Sequence, residues 1–103
     1  MYYLYKITNL LNNKIYIGQT DYPNGRWSKH KWAGKYKKES QVISRAINKY
    51  GVESFSFQVI ACCRTLEDIN IVERLAIKQY NSTDPKIGYN VAIGGEHELH
   101  TPE

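Results

Sequence analysis

A chain of 103 residues, 42% hydrophobic and 23% charged, has room for one domain with one modest core and not for two. Its formal charge of +4 names no partner by itself. Two adjacent cysteines, Cys62 and Cys63, exclude a disulfide scaffold and an all-cysteine zinc site, and no apolar run approaches the ~18 residues that a membrane span needs.

In chain order, residues 2–8 and 14–20 are rich in aromatic and β-branched types, with Asn9, Asn12 and Asn13 between them. That pattern predicts a β-hairpin with an asparagine turn. Alternation puts Tyr3, Tyr5 and Ile7 on one face of the first strand, and Tyr16 with Gly18 on one face of the second, so Tyr5 and Tyr16 can meet across the pair. Pro23, Asn24 and Gly25 are expected to break the strand. A short helix is expected from about Arg26 to Ala33, ended by Gly34 and followed by a lysine-rich loop. Arg26 and His30, four apart, share its face. Ser40 is a candidate N-cap for a second helix carrying Val42, Ile43, Ala46, Ile47 and Tyr50, closed by Gly51. Phe55, Phe57, Val59 and Ala61 alternate with more polar neighbours and predict a third strand with one apolar face. Thr65 starts another helix, whose apolar stripe is Ile69, Val72, Ala76 and Tyr80, with Leu75 on its flank. The expected fold is α+β: a small three-stranded sheet, mixed or antiparallel, flanked by helices in the order β-β-α-α-β-α.

Charge is uneven along the chain. Between Arg26 and Lys49 lie Arg26, Lys29, Lys31, Lys35, Lys37, Lys38, Arg45 and Lys49 against one acid, Glu39, while the remainder is net acidic. Such a segment suits a polyanion, or is a solvated lysine-rich face. Glu73 falls within the apolar stripe of the last helix. A carboxylate there is costly unless it binds a cation or is paired, so it is either functional or turned to the helix edge towards Arg74 or Lys78. Nine tyrosines place hydroxyls inside an aromatic framework. The start of the chain carries no signal-peptide pattern, and with reduced cysteines the expected location is cytoplasmic.

Tyr3-Leu4-Tyr5, then Tyr16-Ile17-Gly18 eleven residues on from Tyr5, then Arg26 with His30, Glu73 and Asn90, resemble the GIY-YIG nuclease family over residues 3–95. Tyr3 and Leu4 depart from the glycine and isoleucine of the family name, and Tyr5 is kept. The resemblance implies a metal-dependent DNA endonuclease without a small-molecule cofactor. Glu73 would be the single carboxylate for Mg²⁺, with Mn²⁺ or another divalent ion as a substitute, since magnesium keeps several waters and needs few protein ligands. Arg26 would steady the scissile phosphate. Tyr5 or Tyr16 would activate or position the attacking water, although a free phenol is a poor base. His30 is the candidate proton relay because its ordinary pKa lies near neutrality, and Asn90 either closes the site by hydrogen bonding or is a turn residue. Many relatives carry lysine where this chain has Gln19. Lys29, Lys31, Lys35, Lys37, Lys38 and Arg45 are the expected DNA contacts.

The site motifs look most like the catalytic domains of phage-type homing endonucleases. Residues 1–95 are then the catalytic domain. Residues 96–103, ending Leu99-His100-Thr101-Pro102-Glu103, resemble a linker and the start of a DNA-binding repeat. A standalone repair-type or single-strand nuclease and a non-catalytic DNA-binding module are the alternatives. One site per chain implies sequential nicking or dimerisation.

Overall fold

The computed structural model describes residues 1–37 and 41–91, side chains at 36 and 37 excepted. Three strands, β1 (Tyr2–Asn9), β2 (Ile15–Thr20) and β3 (Phe55–Cys63), form one antiparallel sheet in the order β2-β1-β3. Three α-helices accompany them: α1 (Pro23–Trp32), α2 (Val42–Tyr50) and α3 (Leu66–Tyr80). The order and class are those expected from the sequence, and the sheet is wholly antiparallel.

The hairpin turn is built by asparagine chemistry. Asn9 Oδ1 accepts the Leu11 amide at 2.9 Å, Asn12 Oδ1 accepts the Lys14 amide at 2.9 Å, and Asn13 takes a left-handed φ of 66°, a conformation asparagine tolerates better than most residues. β1 is central and buried on both faces. Tyr5 and Ile7 pack with Ile43, Ala46, Ile47, Phe55 and Tyr89 on the α2 side, and Leu4 packs with Ile15, Ile17, Ile69, Ala76 and Ile77 on the α3 side. The sheet is therefore sandwiched between helices.

Several sequence expectations need correction. Pro23-Asn24-Gly25 does not lie outside the first helix but forms its first turn, since proline at an N-terminal helical position gives up no needed N–H. Gly34 does not end that helix. The chain runs on through a π-helical turn, Ala33–Lys37, where the expected lysine-rich loop would begin, and a Cβ at Gly34 would fall 2.4 Å from Ile47 Cγ2, so glycine here serves close helix packing. The expected apolar face of β3 does not persist to Ala61. Register passes from Tyr5↔Val59 to Leu4↔Ala61, the extra residue Ile60 turns Ala61 to the α3 side, and Val59 is left exposed. On α3, Tyr80 is exposed and the buried position is Ile77. Thr65 does cap that helix, its Oγ1 accepting the Asp68 amide at 3.1 Å, and Gly51 closes α2 with φ 91°. Both cysteines are free, near the end of β3. Ser40, Gly94, Gly95 and residues 96–103 lie outside the described residues.

The free edge of β2 is covered by the segment after α3. Ile15 N donates to Ile87 O at 3.2 Å and Tyr89 N to Ile15 O at 2.8 Å. Asn90 then acts as a side-chain extension of the ladder: its Oδ1 accepts the Ile17 amide and its Nδ2 donates to Ile17 O, both at 2.9 Å. Pairing or covering an edge prevents strand addition there, and here it also fixes the backbone just before Gly18.

Candidate active site

A cleft of about 740 Å³ opens where β2 passes beneath α1 and α2, lined by Tyr5, Tyr16, Gly18, Gln19, Thr20, Asp21, Arg26 and Arg45 among others. Tyr5 comes from the middle of β1 and lies opposite Gly18. A Cβ at residue 18 would fall 2.4 Å from both Cζ and the hydroxyl oxygen of Tyr5. Glycine in a strand interior often marks such a close approach. The Tyr5 ring stacks on Phe57 at 4.9 Å, Phe57 stacks on Trp27 of α1 at 5.2 Å, and Tyr16 stands 6.3 Å from Tyr5. The Trp27 stack holds α1 against the sheet face that carries the tyrosines.

Arg26 and His30 lie one turn apart on α1. His30 is buried, and its Nε2 is 2.9 Å from the Tyr5 hydroxyl. Burial first, then the charges of Arg26 and Lys29, hold the imidazole down to about 4. His30 is thus a neutral hydrogen-bonding partner at neutral pH, and not the group titrating near neutrality that its ordinary value suggests. Burial pushes the Tyr5 phenol well above its ordinary value, with proximity to Tyr16 adding to the rise; Arg26 opposes it by charge and by a hydrogen bond to the hydroxyl. Tyr16 is also raised, by burial and then by the Glu73 charge, and Arg26 and a hydrogen bond with Tyr5 pull the other way.

The Tyr5 oxygen is therefore a node. Arg26 has only donors, so the phenol oxygen accepts from it. The phenol's own proton can serve His30 Nε2 or the Tyr16 oxygen, which ties the three rings together. The depressed His30 pKa also predicts a pH effect on folding. Between about 6.5 and about 4 the unfolded chain binds the extra proton and the folded chain does not. Stability is full above the unfolded value and falls as pH drops through this window, by about 3 kcal/mol in all. Urea midpoints across that range should show the loss, and His30→Gln should flatten it.

Glu73 reaches the site from the other side of the sheet. It is 1% exposed on α3, and its Oε1 accepts a 2.6 Å hydrogen bond from Gln19 Nε2, which also donates to Asn70 Oδ1 at 2.6 Å. Gln19 lines the cleft, and the Glu73 charge acts on both tyrosines. Sequence reasoning noted Gln19 only as a departure from a lysine. Its place on β2, facing α3 by alternation with Ile15 and Ile17, was the available signal. No group of three or more His, Cys, Asp or Glu able to hold a metal occurs among the described residues, so a multi-acid or cysteine-histidine centre finds no support there. A single hard oxygen donor beside the cleft fits a cation that keeps most of its water shell.

The structure thus brings Tyr5, Tyr16 and Arg26 to one cleft, with His30 behind the Tyr5 hydroxyl and Glu73 buried on the α3 side, joined to the cleft through Gln19. Asn90 is placed differently: both ends of its amide are committed to the Ile17 backbone, so it positions the strand. Tyr89, which sequence reasoning passed over, is buried at the cleft wall and accepts from Asn9 Nδ2 at 3.0 Å. Among the basic residues, Arg45 is exposed and lines the cleft, and Lys29 and Lys35 are exposed. Lys31 is half-buried, its Nζ 5.5 Å from the Trp27 ring centroid. The Lys37 side chain and Lys38 lie outside the described residues. No helix among those residues is long and apolar enough to cross a membrane.

Comparison with known proteins shows the family and the fold. A family model described as the GIY-YIG catalytic domain matches residues 1–90. Endonuclease segA of Enterobacteria phage T4 is 32% identical over 96 residues, which cover 91% of this chain and 39% of that protein. Intron-associated endonuclease 1 of the same phage is 34% identical over 95 residues, covering 86% of this chain and 36% of that protein. The chain thus spans about two-fifths of the length of the curated relatives it matches. Two solved structures of the catalytic domain of I-TevI are similar. One, of a variant of that intron endonuclease, has a TM-score of 0.78 and 29% identity, covering 91% of this chain and 97% of that one. The other, described as from a homing endonuclease, has a TM-score of 0.71 and 31% identity, covering 89% and 99%.

Proposed function

The chain belongs to the GIY-YIG catalytic-domain family, and from that premise we propose that it hydrolyses DNA phosphodiester bonds with a divalent cation, as the catalytic part of a longer, homing-type endonuclease. The observation that carries the reading is the buried Tyr5 hydroxyl, 2.9 Å from His30 Nε2 and beside Tyr16, on an open cleft that Arg26 also lines. A binding module has no use for a buried phenol wired to a neutral imidazole beside a buried carboxylate.

Arg26 is the phosphate ligand in this reading, since its guanidinium can hold two oxygens and offset charge that grows in the transition state. Tyr16 is more exposed than Tyr5 and lines the cleft, where it would meet the attacking water. Its oxygen accepts a hydrogen bond from the water, Tyr5 and the neutral His30 hold that phenol in place, and the water proton leaves to solvent at the open cleft, because an imidazole held down to about 4 does not keep it. No free phenolate forms, as the raised phenol values require. Glu73, steadied by Gln19, would hold Mg²⁺ or a similar hard cation. Bound there, such an ion supplies Lewis-acid polarisation of a phosphoryl oxygen. Lys29, Lys35 and Arg45 add sequence-independent attraction for the duplex, with a dissociation constant on the order of 10⁻⁴ to 10⁻⁶ M.

The deciding experiment is nicking of supercoiled plasmid at low salt. Relaxed product is expected with Mg²⁺ and none with a chelator, and the rate should fall steeply as salt rises. DNA binding without cleavage in either Mg²⁺ or Mn²⁺ would refute hydrolysis and leave the binding-module reading.

A further inference from the structure

A second groove, of about 570 Å³, lies on the solvent side of α1 and shares Thr20, Asp21 and Arg26 with the cleft. Gly25, Ser28, Lys29 and Trp32 recur along α1 at helical spacing and line it, together with Tyr22 just before the helix. His30 lies on the other face of the same helix, against Tyr5, and Arg26 borders both grooves. One helix thus separates two grooves that meet at its first turn.

Two large aromatic rings are presented here to solvent: Tyr22 is 66% exposed and Trp32 52%. Tyr22 is nonetheless held in place. Its amide donates to Thr20 Oγ1 at 3.1 Å, its carbonyl accepts the Arg26 amide at 3.0 Å, and Pro23 follows it at the helix start. Its ring lies on the bare backbone of Gly25, where a Cβ would fall 2.5 Å from Tyr22 Cδ2 and 2.7 Å from Cε2. The ring thus rests on the helix while most of the side chain stays exposed. Fixed aromatic faces beside cationic side chains are how proteins hold single nucleic-acid strands, the bases stacking on rings while the backbone follows the charge.

Charge decides which part of a strand the groove takes. Lys29 and Arg26 favour phosphate on their side, whereas the Asp21 carboxylate at the junction repels it. A nucleobase suits that junction better, because exocyclic amino groups can donate to a carboxylate.

We propose that the groove between Tyr22 and Trp32 is a nucleobase subsite, which stacks an unpaired base of the DNA strand next to the phosphate held in the cleft. The inference rests on the hydrolase reading for its substrate and goes beyond it in assigning a base-binding role to residues outside the cleft. It makes the enzyme sensitive to how readily the DNA opens beside the cut.

The test is binding, run in chelator so that no cleavage intervenes. A labelled oligodeoxycytidylate, whose bases carry an exocyclic amino group, and an abasic backbone of the same length and charge are compared by fluorescence anisotropy at low salt. The base-bearing strand should bind about tenfold tighter, the usual scale of one aromatic stack. Tyr22→Ala and Trp32→Ala should each erase most of that difference and leave abasic binding unchanged. Trp32→Phe should keep it, and Lys29→Ala should weaken both strands alike. Tyr22→Ala decides the matter if Trp32→Ala does not fold. Equal affinity for the two strands, or a difference that survives both Tyr22→Ala and Trp32→Ala, would overturn the subsite. Plasmid nicking with no base preference would sink the subsite alone, and a base preference with no nicking would sink hydrolysis alone.

Discussion

Glu73→Gln is expected to cut Mg²⁺-dependent nicking by about 10²–10³-fold and, in the same protein, to move Tyr5 and Tyr16 to lower pKa. The substitution keeps size and shape and leaves an amide oxygen for Gln19 Nε2 to bond. What it removes is one negative charge. If Glu73 carries the cation, the loss falls on the chemical step and is not restored by raising DNA concentration. The tyrosine shift follows from position. Burial is the largest cause of both raised phenols, but the Glu73 charge adds to each. The NMR chemical shifts of the Tyr5 and Tyr16 rings at neutral pH read the lost charge without any metal present, so they also report whether the variant's site is intact. A variant with shifted tyrosines and full activity would remove Glu73 from the role of metal ligand. Lost activity with unshifted tyrosines would mean that the carboxylate lies too far from the cleft to act there.

Much of this site was legible in the sequence because its parts rest on local rules. Hairpin alternation puts Tyr5 and Tyr16 on one face, helical spacing pairs Arg26 with His30, and a glutamate inside the apolar stripe of α3 declares itself by its cost. What the sequence hid came from long-range packing. Nothing near Asn90 says that its amide will pair with both backbone groups of a residue 73 positions earlier. The shift of Ala61 to the far face depends on a bulge set by pairing with β1, and alternation within β3 alone gives the wrong face. The start of α1 was missed because Pro23 and Gly25 read as breakers when taken one at a time, whereas proline is at home in a first helical turn. His30 is the clearest case of an environment overruling a residue's ordinary chemistry. Its type suggests titration near neutrality, and its burial beside Arg26 prevents that.

Gly18→Ala should abolish most nicking, by about 10²-fold or more, while the chain still folds with a penalty of about 1–3 kcal/mol. The added methyl would stand 2.4 Å from Cζ and from the hydroxyl oxygen of Tyr5, far inside contact distance. Tyr5 cannot yield by sliding sideways, because its other face stacks on Phe57 at 4.9 Å, nor can β2 retreat freely, because Asn90 pins the preceding residue at both backbone groups. The hydroxyl must therefore leave the point at which Arg26, Tyr16 and His30 converge. Gly34→Ala is the matched comparison. Its methyl would meet Ile47 Cγ2 at 2.4 Å, within the α2 packing and away from the tyrosines, so it should cost stability of the same order and leave the rate per folded molecule nearly unchanged. Denaturant midpoints and nicking rates measured on both variants separate the two effects. Equal losses of activity at equal stability would mean that Gly18 matters only for folding, and the close passage of Tyr5 over the strand would lose its catalytic meaning.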